Sequence, residues 1–270
     1  MFFDLVLWFA LYSFIGWVWE TVICSLDQRE FVNRGFLNGP LCPIYGFGAI
    51  LDILVLGQME NPLLIFLAGT AIATILEYFA GWLLETLFHA RWWDYSHMRF
   101  NIKGRVSLLG MMAFGLFAVA LILFAQPWIE QLTNLMPMMI RKIVALALLA
   151  VLVIDTVITA TQISAFNQKL QEIQHHLAES ISESIVESQA QLEGYLEKAK
   201  DTMAAIKPTL PEFPKPTLPT ILRSDDTIRL MLHKLTGPER RVLKAFPQFS
   251  STHYNEAVRR IRKHLKNLQD

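Results

Sequence analysis

Phe14-Ile15-Gly16-Trp17-Val18-Trp19-Glu20-Thr21 and Phe79-Ala80-Gly81-Trp82-Leu83-Leu84-Glu85-Thr86 carry the same pattern, F-x-G-W-x-x-E-T, 65 positions apart. The chain that follows each also rhymes: Phe31-Val32-Asn33-Arg34-Gly35 after the first, Phe100-Asn101-Ile102-Lys103-Gly104 after the second. At helical spacing Ser13, Gly16 and Glu20 share one face, at i, i+3 and i+7, and Tyr78, Gly81 and Glu85 repeat it. A glycine on such a face lets two helices approach closely, and the glutamate then stands beside the contact. The pattern reads as a tandem duplication of a two-helix unit.

Both copies lie in a greasy part of the chain. Of 270 residues 53% are apolar and 18% charged, but the average hides a division. Residues 1–165 hold 19 charged side chains, and the remaining 105 residues hold 29. Such a composition excludes a single water-soluble globule, a disulfide scaffold and a disordered chain. Five stretches approach the length of about 20 apolar residues that a bilayer requires: Phe2–Cys24, Pro43–Met59, Pro62–Phe88, Val106–Ala125 and Ile143–Phe166. The second is the shortest, with Asp52 at its middle. Backbone amides in lipid must bond within the protein, so all five are read as helices.

Basic residues orient them. The connections after the first and third stretches carry Arg29, Arg34, Arg91, Arg99, Lys103 and Arg105, against only Arg141 and Lys142 on the opposite side. The positive-inside rule then places the amino terminus outside and the tail in the cytoplasm of a cell (inner or plasma) membrane. The expected fold class is all-α: a polytopic membrane protein with five transmembrane helices, two parallel-repeat hairpins plus one, followed by a long cytoplasmic helix and a small helical tail. The expected domains are a transmembrane domain 1–165, a long amphipathic helix 166–206, a proline-rich linker 207–219 and a small basic helical region 220–270.

The run Phe31-Val32-Asn33-Arg34-Gly35-Phe36-Leu37-Asn38-Gly39-Pro40-Leu41-Cys42-Pro43-Ile44-Tyr45-Gly46-Phe47-Gly48 resembles the signature of the CmpB-like membrane proteins, the type IV ABC-transporter family. Leu76-Glu77-Tyr78, Leu87-Phe88-His89-Ala90-Arg91-Trp92-Trp93-Asp94-Tyr95-Ser96 and Phe100-Asn101-Ile102-Lys103-Gly104-Arg105 resemble it too, and the likeness covers about residues 1–160. It implies a permease-like membrane subunit and leaves the tail as an addition. The chain has no G-x-x-x-x-G-K-[ST], so it holds no phosphate-cradling loop, and ATP hydrolysis would fall to a separate ATPase subunit.

Two groups of residues are candidates for chemistry. Glu20, Asn33, Arg34, Glu85, Arg91, Trp92, Trp93, Asp94, Asn101, Lys103 and Arg105 gather near one rim, where arginine forks and aromatic rings suit a lipid headgroup or an amphipathic anion. Glu77, Asp52 and Asp155 lie deeper in their spans, where an acid faces a cavity or a partner. If they converge they can hold protons or cations along a path, and if they do not they join helices as hydrogen-bonded acids. No nucleophile elbow, H-E-x-x-H or zinc spacing occurs, and neither a cofactor nor a metal is expected. Membrane lipids are expected partners and nucleic acid is not. A lipid-handling membrane enzyme and a scaffold that recruits partners through its tail are the alternatives.

Between Leu170 and Ile206 the apolar positions recur every 3.6 residues, the period of a helix. The same stretch carries 7 acidic and 2 basic residues, which disfavours lying on an anionic leaflet and favours packing against a second copy. Five prolines in 207–219 make a stiff spacer. Ser224-Asp225-Asp226 and Thr236-Gly237-Pro238-Glu239 read as helix starts, and Glu256–Leu268 as a basic helix.

Overall fold

The structure, a computed structural model, describes residues 1–204, 235–251 and 253–267. The proline-rich segment 207–219 and the helix start at Ser224 lie outside the described residues. The chain is mostly helical: α1 Phe2–Gln28, α2 Pro43–Leu56, α3 Pro62–Phe88, α4 Leu108–Ala120, α5 Gln126–Leu135, α6 Met138–Ala204, α7 Gly237–Ala245 and α8 Asn255–Asn267. Four two-residue strands, β1 Ala90–Arg91, β2 Asn101–Ile102, β3 Val106–Ser107 and β4 Ser250–Ser251, pair as β1 with β4 and β2 with β3. One compact unit holds Met1–Phe166 together with Thr236–His253, and the other holds Asn167–Leu235 with Tyr254–Asp270.

Among the described residues four helices are long and apolar enough to cross a membrane: Phe2–Gln28, Pro62–Phe88, Leu108–Leu135 and Met138–His176. Five were expected. The difference is α2, whose 14 residues reach about 21 Å where a bilayer core needs about 30 Å. Gly57 ends it, and the chain ahead of it is irregular rather than helical, with bends over 36–40. Val32 to Phe47 nevertheless runs back along α1. The Val32 amide donates to Ser25 Oγ (3.0 Å), that of Arg34 to Thr21 Oγ1 (3.4 Å) and that of Cys42 to the Ser13 carbonyl (2.9 Å). The Phe47 ring meets Phe9 edge to face at 4.9 Å.

The fourth expected span ends ten residues later than its sequence limit, at Leu135 instead of Ala125. Proline lacks the N–H that would continue a helix, and Pro127 stands two residues past the expected end at Ala125. Here a π-helical turn, Leu121–Ala125, absorbs the misfit, and the chain continues through α5 to Leu135. The α5 residues Gln126 and Thr133 accept from Tyr12 Oη (2.7 Å) and Trp8 Nε1 (3.0 Å) of α1. Arg141 donates to Asp4 at 2.9 Å, which ties the starts of α6 and α1 together.

The starts of α3 and α4 are chemically marked. Asn61 accepts from the Leu63 and Leu64 amides, and Ser107 from that of Gly110. Two glycines set the spacing of the helix pairs. A Cβ on Gly46 would overlap Ser13 Oγ and stand 2.8 Å from the Phe9 carbonyl, and one on Gly115 would overlap Thr70 Oγ1 and stand 2.9 Å from the Phe66 ring. Leu56, Ile65, Ala118 and Ile122 form a buried core between α2, α3, α4 and the π-helical turn. The outward side chains of α1, α3 and α4, such as Val22, Ile75, Phe79 and Leu116, are exposed and apolar, as lipid-facing positions require.

In the second unit α8 packs on the part of α6 around Leu170 and Ile173. The Ala257 amide donates to Gln174 Oε1 at 3.2 Å, and Ala257, Val258 and Ile261 are buried. Ile185, Val186, Leu192 and Leu196 of α6 are exposed.

Gly46→Val is expected to lower the stability of the purified protein by about 2 kcal/mol, the usual cost of overpacking a tight contact. Thermal unfolding in mild detergent reads it. Gly194→Ala, where nothing lies within 4 Å, is expected to leave stability unchanged or raise it.

Candidate functional site

A cavity of about 280 Å³ lies among α1, α2, α3 and α4. Its walls are largely apolar and aromatic, and two carboxyl groups enter them: Asp52 from the third turn of α2 and Glu77 from the middle of α3. They are 8% and 6% exposed, and neither Asp52 Oδ1 nor Glu77 Oε2 has a hydrogen-bond partner. Such unmatched buried groups are rare and costly in lipid-embedded protein. Trp19 of α1 and Phe117 of α4, exposed on the outer face with rings 5.6 Å apart, line the cavity as well, so it is bordered by the lipid-facing surface.

At one end of the cavity a polar network begins. Tyr45 donates to Glu20 Oε1 at 2.6 Å, and Glu20 pairs with Arg34 Nε at 3.5 Å. Tyr95 hydrogen-bonds to Glu77. Burial and the Glu77 and Glu20 carboxylates push the Tyr95 hydroxyl above its ordinary range, so it remains a proton donor at neutral pH.

The second glutamate of the sequence pattern is placed alike. Glu85 pairs with Arg105 at 2.7 Å and with Arg91 at 3.2 Å, and the Arg105 guanidinium lies 5.2 Å from the Tyr78 ring centre. The rhyme of the two loops sets Lys103 opposite Arg34. In space the residue that meets the glutamate is Arg105, while Lys103 sits exposed at a turn with φ 51°. Asn101 holds that turn, accepting from the Gly104 amide at 2.8 Å and donating to the Met98 carbonyl at 2.7 Å.

Asp155 faces neither the cavity nor another acid. Its two oxygens accept from the backbone amides of Asn38 (3.1 Å) and Gly39 (2.8 Å). On the same stretch Arg241 of α7 donates to the carbonyls of Gly35 (2.7 Å) and Phe36 (3.3 Å). Burial draws the Arg241 guanidinium below its ordinary range, and the Asp155 carboxylate opposes that shift. Asn33 accepts from Trp17 Nε1 at 2.7 Å and donates to the Asn38 carbonyl at 3.2 Å, closing the loop on itself.

The segment Thr236–His253 covers much of the rim where a headgroup pocket was expected. Arg34 donates to the Ala245 carbonyl, and its guanidinium lies 4.8 Å from the Phe246 ring centre. Lys244 pairs with Glu30 at 2.7 Å. Trp92 is buried against Phe36, Phe246 and Phe249, and Ala90 and Arg91 form a ladder with Ser251 and Ser250. Trp93 Nε1 donates to the Arg105 carbonyl at 2.9 Å. Asp94 accepts from the Ser96 amide and hydroxyl, which hold its carboxyl below the usual carboxylate range.

A family model described as "Putative ABC-transporter type IV" matches residues 7–160. The chain belongs to this family. No curated protein and no solved structure matches it. The matched span holds the four helices around the cavity from Leu7 onward, both motif glutamates and Asp155, whereas Arg241, Phe246 and Phe249 lie beyond it. Family membership and the four long apolar helices together make this a membrane protein.

From the sequence, Asp52 and Glu77 stand out as acids in apolar runs, Glu20 and Glu85 through the repeated pattern, and Arg34 as a basic residue of the loop between spans. Tyr45, Tyr95 and Arg241 do not stand out. An aromatic hydroxyl in a membrane segment carries no signal of its own, and Arg241 meets its loop across more than 200 positions of chain. Trp92→Ala is expected to free the 236–253 segment. Loss of a buried tryptophan costs about 3 kcal/mol, which raises the open population about 100-fold. Chymotrypsin cleavage after Phe246 and Phe249 in the folded protein measures it.

Proposed function

We propose that the chain is the membrane subunit of a transport system and that the cavity among α1–α4 holds a lipid-like, amphipathic molecule taken up from the bilayer. The observation that carries this reading is the cavity: apolar walls, two buried carboxyl groups each with one unmatched oxygen, and a border of lipid-facing side chains around one space of about 280 Å³. A pocket of that kind suits a compact ligand that is apolar over most of its surface and polar at one point. Membership in an ABC-transporter family supports transport rather than catalysis as its purpose.

On this reading the chain crosses the membrane five times. The non-helical segment Val32–Cys42 and α2 together make the second crossing, alongside α1. The two F-x-G-W-x-x-E-T helices then run in parallel, with the amino terminus outside and the tail in the cytoplasm. Energy comes from a separate ATPase subunit. Arg34, Trp92 and Asp94 are already engaged by residues 236–253, so that partner docks on surface other than those side chains. Two copies associate through the exposed apolar residues of α6 between Ile185 and Leu196.

Native mass spectrometry of the protein from mild detergent tests the reading. The wild-type chain is expected to carry a bound amphiphile at one per chain. Ala73→Trp, which fills the cavity from α3, is expected to release it. Retention of the same molecule by Ala73→Trp would contradict the proposal.

A further inference from the structure

The charge of the cavity's ligand can be read from the groups that face it. We infer that it is a lipophilic cation, a single positive charge carried on an apolar body. The inference rests on the reading of this cavity as a binding chamber and specifies what the chamber selects.

Asp52 and Glu77 are the acidic side chains of the wall, each more than nine-tenths buried and each with one oxygen unmatched. Among the described residues no lysine or arginine lines the cavity. Arg34 is held by Glu20, the Ala245 carbonyl and the Phe246 ring, and Arg105 by Glu85 and Tyr78. An anion entering the space would therefore meet unmatched carboxyl oxygens and no countercharge. Trp19, Tyr45, Phe114 and Phe117 supply the rest of the argument. Aromatic faces carry negative quadrupole density, and rings grouped about a carboxylate are a known chemical solution for holding an ammonium-type or phosphonium-type cation out of water. An acid at this depth persists when it faces a cavity or a partner, and a bound cation supplies the missing charge.

The same positive group could arrive on a membrane lipid or on a freely partitioning molecule. Depth favours the second. Glu77 stands 11 residues before the Phe88 end of α3, about 16 Å along the helix axis, whereas the ammonium of a phospholipid stays at headgroup level.

Tetraphenylphosphonium and tetraphenylborate share size and shape and differ in sign, so the pair isolates charge. Equilibrium dialysis of each against the full chain in lipid nanodiscs, corrected for empty discs, is expected to show saturable binding of one phosphonium per chain. Borate binding is expected to be at least about tenfold weaker. Asp52→Asn and Glu77→Gln are each expected to weaken phosphonium binding by about tenfold, and Ala73→Trp to abolish it. The comparison of the two ions on the unmodified chain requires no variant to fold. Equal or stronger saturable binding of the borate would overturn the inference while leaving the binding chamber in place. Saturable binding of neither ion overturns the inference, and release of the native amphiphile by Ala73→Trp then decides separately whether the chamber reading stands. Phosphonium binding that disappears when phosphatidylethanolamine replaces phosphatidylglycerol in the discs would assign the positive group to a lipid headgroup, contrary to the depth argument.

Discussion

Backbone that is not helical can lie beside a membrane-spanning helix only if the protein itself satisfies its N–H and C=O groups. The segment Val32–Cys42 meets that condition with side chains. Ser25, Thr21 and Asn33 take the amides of Val32, Arg34 and Gly35, and the Ser13 carbonyl takes that of Cys42. At the bend the groups are charged: the Asp155 carboxylate accepts from two successive amides, and the Arg241 guanidinium donates to two successive carbonyls. Charged partners make stronger hydrogen bonds than neutral ones, about 1.5–3 kcal/mol each. Here an acid and a base of opposite sign bracket one short stretch of chain.

The position of the cavity follows from that bracket. Because the returning chain is non-helical up to Cys42, α2 begins level with the middle of α1. Tyr45 is thereby set against Glu20, and Asp52 is set in the wall. The π-helical turn acts from the other side, carrying the fourth span past Pro127 and placing Leu121 and Ala125 in the same wall. The rim is built differently. There the later segment 236–253 closes over Arg34 and Trp92, so residues outside the family-matched span complete a surface inside it.

The long helices were legible because lipid imposes a composition that no other environment tolerates. The limits of α3 agree with its sequence reading to the residue, since Asn61-Pro62 and the αL residue His89 are chemical boundaries. The helix starts at Pro43 and Gly237 were marked in the same way, by proline in the first turn. What could not be read depends on pairing rather than pattern. Hydropathy records that Asp155 is an acid in an apolar run, but not that it meets two amides 116 and 117 positions away. Aligning the two loops made Lys103 the partner of Arg34, whereas side-chain reach gives that place to Arg105. The span expected to end at Ala125 runs on to Leu135 because a π-helical turn, which no local pattern marks, carries the helix past Pro127.

Asp155 holds the Asn38–Gly39 bend through both of its carboxyl oxygens. Hydrogen–deuterium exchange of the full chain in nanodiscs addresses it directly, comparing the wild type with Asp155→Ala. The bend's amides are protected in the wild type on this account, and in the variant a peptide spanning residues 36–42 exchanges many times faster while peptides from α3 do not change. Unaltered protection at Asn38 and Gly39 in the variant would contradict it.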